Sequence, residues 1–292
     1  MRIGLSLPTM LPGLDGPTVF EWCRRIEADG YDTLGFGERI AYHNLELFTT
    51  LSAAAAVTER VRITSTIVVL PMHSEVWVAK QTASLDALSG GRVTLGVGVG
   101  GRSEDYDALG RSFDRRFDRM DAQVGRIRSL WRGEPPADGL DPVGPRPVQA
   151  HIPILSGALG AKSIARSARW ADGVAGFELD PSAAAFEGAI DRVAAAWETA
   201  GRDAAPYQMT SWWFALGDGS AERLRSYAHG YLRVFGDELA DAMADICTCA
   251  GPDALLRAVD AAEEAGMDEI QLVPTSADLG ELDRLAEVLA LR

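Results

Sequence analysis

Leu88-Ser-Gly-Gly-Arg-Val-Thr-Leu-Gly-Val-Gly-Val-Gly-Gly101 follows Ile67-Val-Val-Leu-Pro71, Ala79-Lys80 and Leu85-Asp86. Together they read as buried strand, helix, buried strand and glycine-rich loop. A unit of this kind puts the carboxyl ends of its strands on one side of a parallel sheet, where open α/β folds and (β/α) barrels both keep their binding sites. Gly96, Gly98 and Gly101 match G-x-G-x-x-G directly after the apolar Val93-Thr-Leu95. A dinucleotide fingerprint, however, sits in the first strand-to-helix turn and opens a helix at once. Here the glycines follow a fourth strand, and Arg102-Ser-Glu-Asp-Tyr-Asp-Ala-Leu-Gly110 reads as a polar loop.

Outward from this stretch, apolar strand-like runs alternate with helical patterns along the chain. The expected strands are Ile3–Leu7, Thr33–Phe36, Val61–Val68, Val93–Val97, Ile154–Leu155, Gly173–Ala175, Gln208–Ala215 and Glu269–Val273. Helices are expected near Thr18–Asp29, Leu47–Thr58, Glu75–Leu88, Arg115–Trp131, Ala161–Trp170, Ser182–Ala200, Ala221–Phe235 with more helix to Ala265, and Leu279–Leu289. Eight such units predict an α/β fold, a (β/α)8 TIM barrel forming one domain over residues 1–292, with insertions after strand four and strand seven. Those insertions, Gly133–His151 and the helices between Gly217 and Gly266, are both candidate covers over the active-site face.

Hydrophobic residues make up 47% and charged residues 24% of the 292, a globular composition with enough apolar surface for a large core. A net charge of −14 opposes binding to phosphate backbones and anionic lipid, so neither nucleic acid nor membrane is an expected partner. Met1-Arg2-Ile-Gly-Leu-Ser-Leu7 leads directly into a strand pattern and no 18-residue apolar span follows, which predicts a cytoplasmic protein. Cys23, Cys247 and Cys249 fit no disulfide framework or metal spacing, and the four histidines show no zinc-binding pattern.

The chain resembles the bacterial luciferase-like monooxygenase superfamily along nearly its whole length. The resemblance is carried by Ile3-Gly-Leu-Ser-Leu7, Ala28-Asp-Gly-Tyr-Asp-Thr-Leu34, Leu70-Pro71, Ala79-Lys80, Leu85-Asp86, the segment from Leu88 to Gly100, Glu104-Asp-Tyr106, Phe117 to Asp121, Leu130-Trp131 and Gly133-Glu134-Pro135. It implies an oxidoreductase on a (β/α)8 barrel, with FMN or coenzyme F420 bound at the carboxyl end. With FMN, a separate flavin reductase would supply reduced cofactor and O2 would oxygenate a small organic substrate. With F420, hydride transfer without oxygen is expected; a barrel that binds flavin without catalysis is the third reading. Homodimers are common among such proteins.

The resemblance also implies a non-proline cis peptide in a bulge ending the third strand, here at Ile67-Val68, propping the cofactor ring. Gly98 and Gly100 would line the fourth-strand side, where Glu104 and Asp105 either contact ribityl hydroxyls or pair with Arg102 or Arg111. The backbone of Ser156, Gly157 and Ala158 would form a phosphate site closed by Gly176 and Phe177, with Lys162, one of two lysines in the chain, either a point charge on the phosphate or a solvated surface residue. Many relatives carry an acid–histidine pair after strand two, where this chain has Glu38 and Arg39. Arginine stays cationic near neutral pH, so it suits an anionic substrate or reduced flavin rather than acid–base work. His43 is the candidate titratable group, against the alternative of a surface-loop histidine, and His73 either bonds cofactor or substrate or caps the following helix. Of Trp212 and Trp213 on strand seven, only one can face inward.

Overall fold

The computed structural model describes residues 1–291. Nine strand segments form one parallel sheet: β1 (Arg2–Ser6), β2 (Thr33–Phe36), β3 (Arg62–Ser65), β4 (Val68–Val69), β5 (Val93–Gly98), β6 (Ile154–Ser156), β7 (Gly173–Ala175), β8 (Tyr207–Phe214) and β9 (Glu269–Pro274). Their order is β3-β2-β1-β9-β8-β7-β6-β5-β4, and an additional β3–β5 pairing closes the circle. The fold is a (β/α)8 barrel in which β3 and β4 are two pieces of one staveline.

The helices are α1 (Gly16–Ala28), α2 (Leu47–Ala56), α3 (Glu75–Leu88), α4 (Ser103–Ala108), α5 (Arg116–Trp131), α6 (Ala161–Ser167), α7 (Ala183–Thr199), α8 (Ser220–Leu232), α9 (Asp237–Ala244), α10 (Pro252–Ala265) and α11 (Gly280–Leu289). Local sequence explains α1 well. Asp15 caps it by accepting from Thr18 N–H at 2.9 Å, Pro17 lies in its first turn, and Val19, Trp22, Cys23 and Ile26 bury one face at helical spacing. No described helix is long and apolar enough to cross a membrane.

The expected third strand, Val61–Val68, is interrupted. Ile63 pairs with Val93 and Thr64 with Thr94, whereas Val68 pairs with Val97 and Val69 with Gly98. Four steps on one side thus match three on the other, which is the signature of a one-residue bulge. The polar loop expected over Arg102–Gly110 instead contains α4, anchored by buried Asp105, which accepts from Ala41 N–H at 2.8 Å, and by Tyr106, whose hydroxyl donates to the Val99 carbonyl at 2.6 Å.

The two insertions behave differently. Residues of α8 and of the segment after it cover the carboxyl face, as expected. Gly133–His151 does not, because it joins a helix to a strand and such loops lie at the amino ends of the strands. There Asp86, fully buried near the end of α3, accepts from Val148 N–H (2.7 Å), Gln149 N–H (3.0 Å) and Gln149 Nε2 (2.7 Å). Arg92 belongs to the same end, donating to the carbonyls of Ala55, Thr58, Val61 and Ser89. The Leu85-Asp86 and Gly90-Gly-Arg92 elements therefore build the scaffold rather than the site.

Candidate active site

At the carboxyl end of the barrel, two adjoining cavities of about 200 and 690 Å³ share Thr66, Ile67, Phe177, Ser211, Trp213, Tyr231 and Phe235 in their walls. Ile67 stands between them. The non-proline cis peptide is Thr66-Ile67, one residue before the expected Ile67-Val68. Val68 itself is wholly buried in the core, and Val69 is the residue that faces the smaller cavity.

The glycines opposite this bulge make room for it. A Cβ on Gly96 would overlap the Ser65 carbonyl oxygen, and one on Gly98 would overlap Ile67 Cδ1. One on Gly157 would lie 3.3 Å from Ile67 Cγ2, and one on Gly100, where φ is +62°, 2.8 Å from Val69 Cγ1. Gly96 and Gly98 thus accommodate neighbouring strand and side chain, a role unrelated to a dinucleotide fingerprint.

Glu38 and Arg39 are both buried and both line the smaller cavity, yet they point their polar atoms in different directions. Glu38 accepts from Val69 N–H at 2.7 Å and lies 2.9 Å from His73 Nε2, tying the end of β2 to the short strand β4. His73 is therefore a partner of Glu38 rather than a cavity wall, and Gln123 Nε2 donates to its carbonyl. Arg39 donates through Nη2 to the Tyr231 carbonyl at 2.8 Å, with its guanidinium 3.7 Å from the Tyr231 ring centroid and 4.6 Å from that of Tyr42. Its Nη1 is buried without a hydrogen-bond partner. His43 is not brought to the cavity wall: its Nε2 sits 3.1 Å from the Met10 carbonyl and its ring packs on Tyr42.

The larger cavity includes Gly157, Gly176 and Phe177 in its wall. Ser156 faces elsewhere, its hydroxyl 2.6 Å from that of Ser167 in α6. Ala158 lines a small void that shares Leu159, Gly176, Phe177, Glu178 and Met209 with the larger cavity, and Lys162 is exposed. Glu104 is also exposed, while its neighbour Asp105 turns inward, pairs with Arg102 at 3.3 Å and reaches the smaller cavity. Glu178 adds a carboxyl to the larger cavity, and burial pushes its pKa up from the usual carboxylate range.

Several wall residues carry no local sequence signal. Trp213 is the inward tryptophan and touches Phe177, Tyr227 and Tyr231, with ring centroids 4.6, 5.8 and 5.0 Å away. Trp212 packs outward against Phe186. Tyr227, Tyr231, Val234 and Phe235 come from the insertion after β8, and helical periodicity alone could have shown only that α8 has a face to bury. Burial raises the Tyr227 phenol well above its usual range, with neighbouring Tyr231 adding to the effect, so its hydroxyl stays protonated.

The luciferase-like monooxygenase family profile matches residues 1–281, and the chain belongs to that family. Among similar sequences, an uncharacterized Mycobacterium tuberculosis protein is 36% identical over 171 residues, covering 56% of this chain and 59% of the relative. The pyrimidine monooxygenase RutA of Cronobacter sakazakii is 34% identical over 188 residues, covering 59% of this chain and 55% of the relative. The matched stretches thus span somewhat over half the length of these relatives. Among solved structures, an F420-dependent secondary alcohol dehydrogenase superposes with a TM-score of 0.82 at 20% identity over the full length of both chains. The FMN-bound oxygenating component of a 3,6-diketocamphane monooxygenase from Pseudomonas putida gives 0.73 at 16% identity, covering 100% of this chain and 98% of that one. Both share the barrel.

Proposed function

We propose that this protein is a flavin-dependent oxidoreductase that uses reduced FMN, delivered by a separate reductase, and O2 to oxygenate a small organic substrate. The observation that carries this reading is the Ile67 platform: an apolar side chain projecting from a strand bulge between two cavities, over two glycines that leave it space. Such a surface suits the flat face of a flavin. Family membership and the naming of RutA as a monooxygenase support the same chemistry.

The larger cavity would take the ribityl phosphate arm. No lysine or arginine lines it among the described residues, so the backbone of the turn from Gly157 to Gly160 is left to meet the phosphate. One phosphate fits this donor set better than a longer polyanionic tail, which supports FMN. When bound, reduced FMN would supply oxygen activation and transfer of one oxygen atom. The chain's own residues orient and insulate: Ile67 backs the ring, Trp213 and Phe177 keep water out, Arg39 sets a fixed positive charge beside the reacting volume, and Glu38 holds Val69 and His73 in place.

A second reading, hydride transfer with coenzyme F420, is favoured by one feature: Glu38 sets a buried carboxylate in the wall of the smaller cavity, backed by the His73 imidazole, and a carboxylate so placed is a candidate proton acceptor for alcohol oxidation. Titrating the purified protein with FMN and with F420, followed by reaction of each reduced cofactor under air and under argon, separates the readings. FMN binding with oxygen-dependent product supports oxygenation; F420 binding with oxygen-independent turnover replaces it. Binding of FMN without turnover of any tested substrate favours a non-catalytic barrel, and failure to bind either cofactor refutes all three.

A further inference from the structure

We propose that the inner end of the smaller cavity is a recognition site for a substrate carboxylate, or an equivalent planar oxyanion, held by Arg39 Nη1 and the Tyr227 hydroxyl. The proposal deepens the function above, since it names the class of substrate that would lie beside the bound cofactor.

Arg39 is only 7% exposed and brings a planar guanidinium with a fork of N–H donors into the cavity wall. One arm of its fork is used, Nη2 on the Tyr231 carbonyl; the other, Nη1, is buried without a partner. The carboxylates nearby are committed elsewhere, Glu38 to Val69 N–H and His73, Asp105 to Ala41 N–H and Arg102. The rings of Tyr42 and Tyr231, 4.6 and 3.7 Å from the guanidinium carbon, hold the group by cation–π contact and leave Nη1 as its unpaired donor. Buried cations are normally paired, and a half-used fork in a cavity wall is the arrangement that a ligand anion completes.

Tyr227 supplies the second donor. Tyr227 lines the same cavity, and its buried hydroxyl has the Thr9 side chain as its polar neighbour but no hydrogen bond of good geometry. A neutral carbonyl would accept from Tyr227 but would leave the Arg39 charge unanswered; a carboxylate answers both. Val69, Met72, Phe177 and Trp213 give the wall an apolar side, with the hydroxyls of Ser6, Thr66 and Ser211 as its small polar groups, so the ligand that fits is a small acid with an apolar or aromatic body.

Isothermal titration calorimetry of the cofactor-free protein with benzoate and with benzamide, its neutral isostere, tests the assignment directly. Benzoate should bind at least about tenfold more tightly, the scale of one charge-assisted hydrogen bond. Arg39→Met should abolish that preference, and Tyr227→Phe should weaken benzoate a few-fold. Equal affinity for the two probes, no binding of benzoate, or benzoate binding unchanged in folded Arg39→Met overturns the proposal. Should Arg39→Met fail to fold, Arg39→Lys carries the test, because it keeps the charge but not the fork: weaker benzoate binding is expected, and unchanged binding overturns. Repeating the titration with saturating FMN separates the two sources of an anion. Benzoate and FMN should bind together, whereas mutual exclusion would assign the site to the cofactor. Absence of cofactor binding would refute the flavin reading while leaving the benzoate result to stand alone.

Discussion

The side chain of Ile67 occupies the space that a Cβ on Gly98 would need. At Gly96, one residue pair earlier on β5, the obstacle is instead the backbone oxygen of Ser65. A side-chain terminus can rotate away and a strand cannot. Gly96→Ala should therefore destabilise by about 3 kcal/mol or more and Gly98→Ala by about 1 kcal/mol, as read from urea unfolding. Because Ile67 borders both cavities, its displacement in Gly98→Ala should nonetheless weaken FMN binding, and Gly98→Ala combined with Ile67→Ala should recover the stability. Equal destabilisation by the two single substitutions would refute the distinction.

Glu38 has two tasks that substitution separates. Glu38→Ala strands the buried Val69 N–H and should cost about 2 kcal/mol, whereas Glu38→Gln keeps a carbonyl acceptor and should cost less. Thermal melts give the stability difference, and turnover of Glu38→Gln reports on proton transfer. If the residue only positions β4 and His73, activity should follow stability; near-wild-type stability with lost turnover would make it a proton-transfer group.

Asp86→Ala removes the acceptor for three donors at the amino end of the barrel. It should cost about 3 kcal/mol, seen as a drop in Tm of several degrees. FMN affinity of the folded variant should stay unchanged, since the cavities open at the opposite end.

Glu269 is buried inside the barrel near its amino end, accepts from the Tyr207 hydroxyl at 2.7 Å, and has its carboxyl pKa raised by burial. A raised carboxyl pKa means that the folded protein favours the protonated form. The associated stability is present below the unfolded value of about 4.3 and is lost as pH rises through the folded value. Melts of wild type and Glu269→Gln from pH 4 to pH 8 should show the variant gaining on the wild type as pH rises. A constant gap would refute the assignment.

The barrel was legible because alternation of strand and helix is a local signal, and the departures have physical causes. The run from Thr64 to Val69 is β-branched except for Ser65, so no change of pattern marks where the register slips, and the bulge fell one residue from its expected place. Arg39 could be recognised as unusual beside Glu38, but its stacking partner Tyr231 is 192 residues away in the insertion, beyond the reach of spacing. His43 and Glu104 show the complementary failure: adjacency to a site in sequence does not fix direction, and Asp105 rather than Glu104 turned inward because the Ile40 and Ala41 N–H groups wait on that side. Alternation along β8 was a sound guide, since period two forced one tryptophan in and the other out.

The hold of Tyr231 on Arg39 makes the pocket modular. The platform that would meet a cofactor is written into the barrel, in Ile67, Gly98 and Gly157, while the carbonyl and the nearer ring that hold the charged group, both of Tyr231, come from one contiguous insertion after β8. Substrate preference can then be redrawn by exchanging residues 217–251 as a cassette, with the glycine-backed platform left untouched.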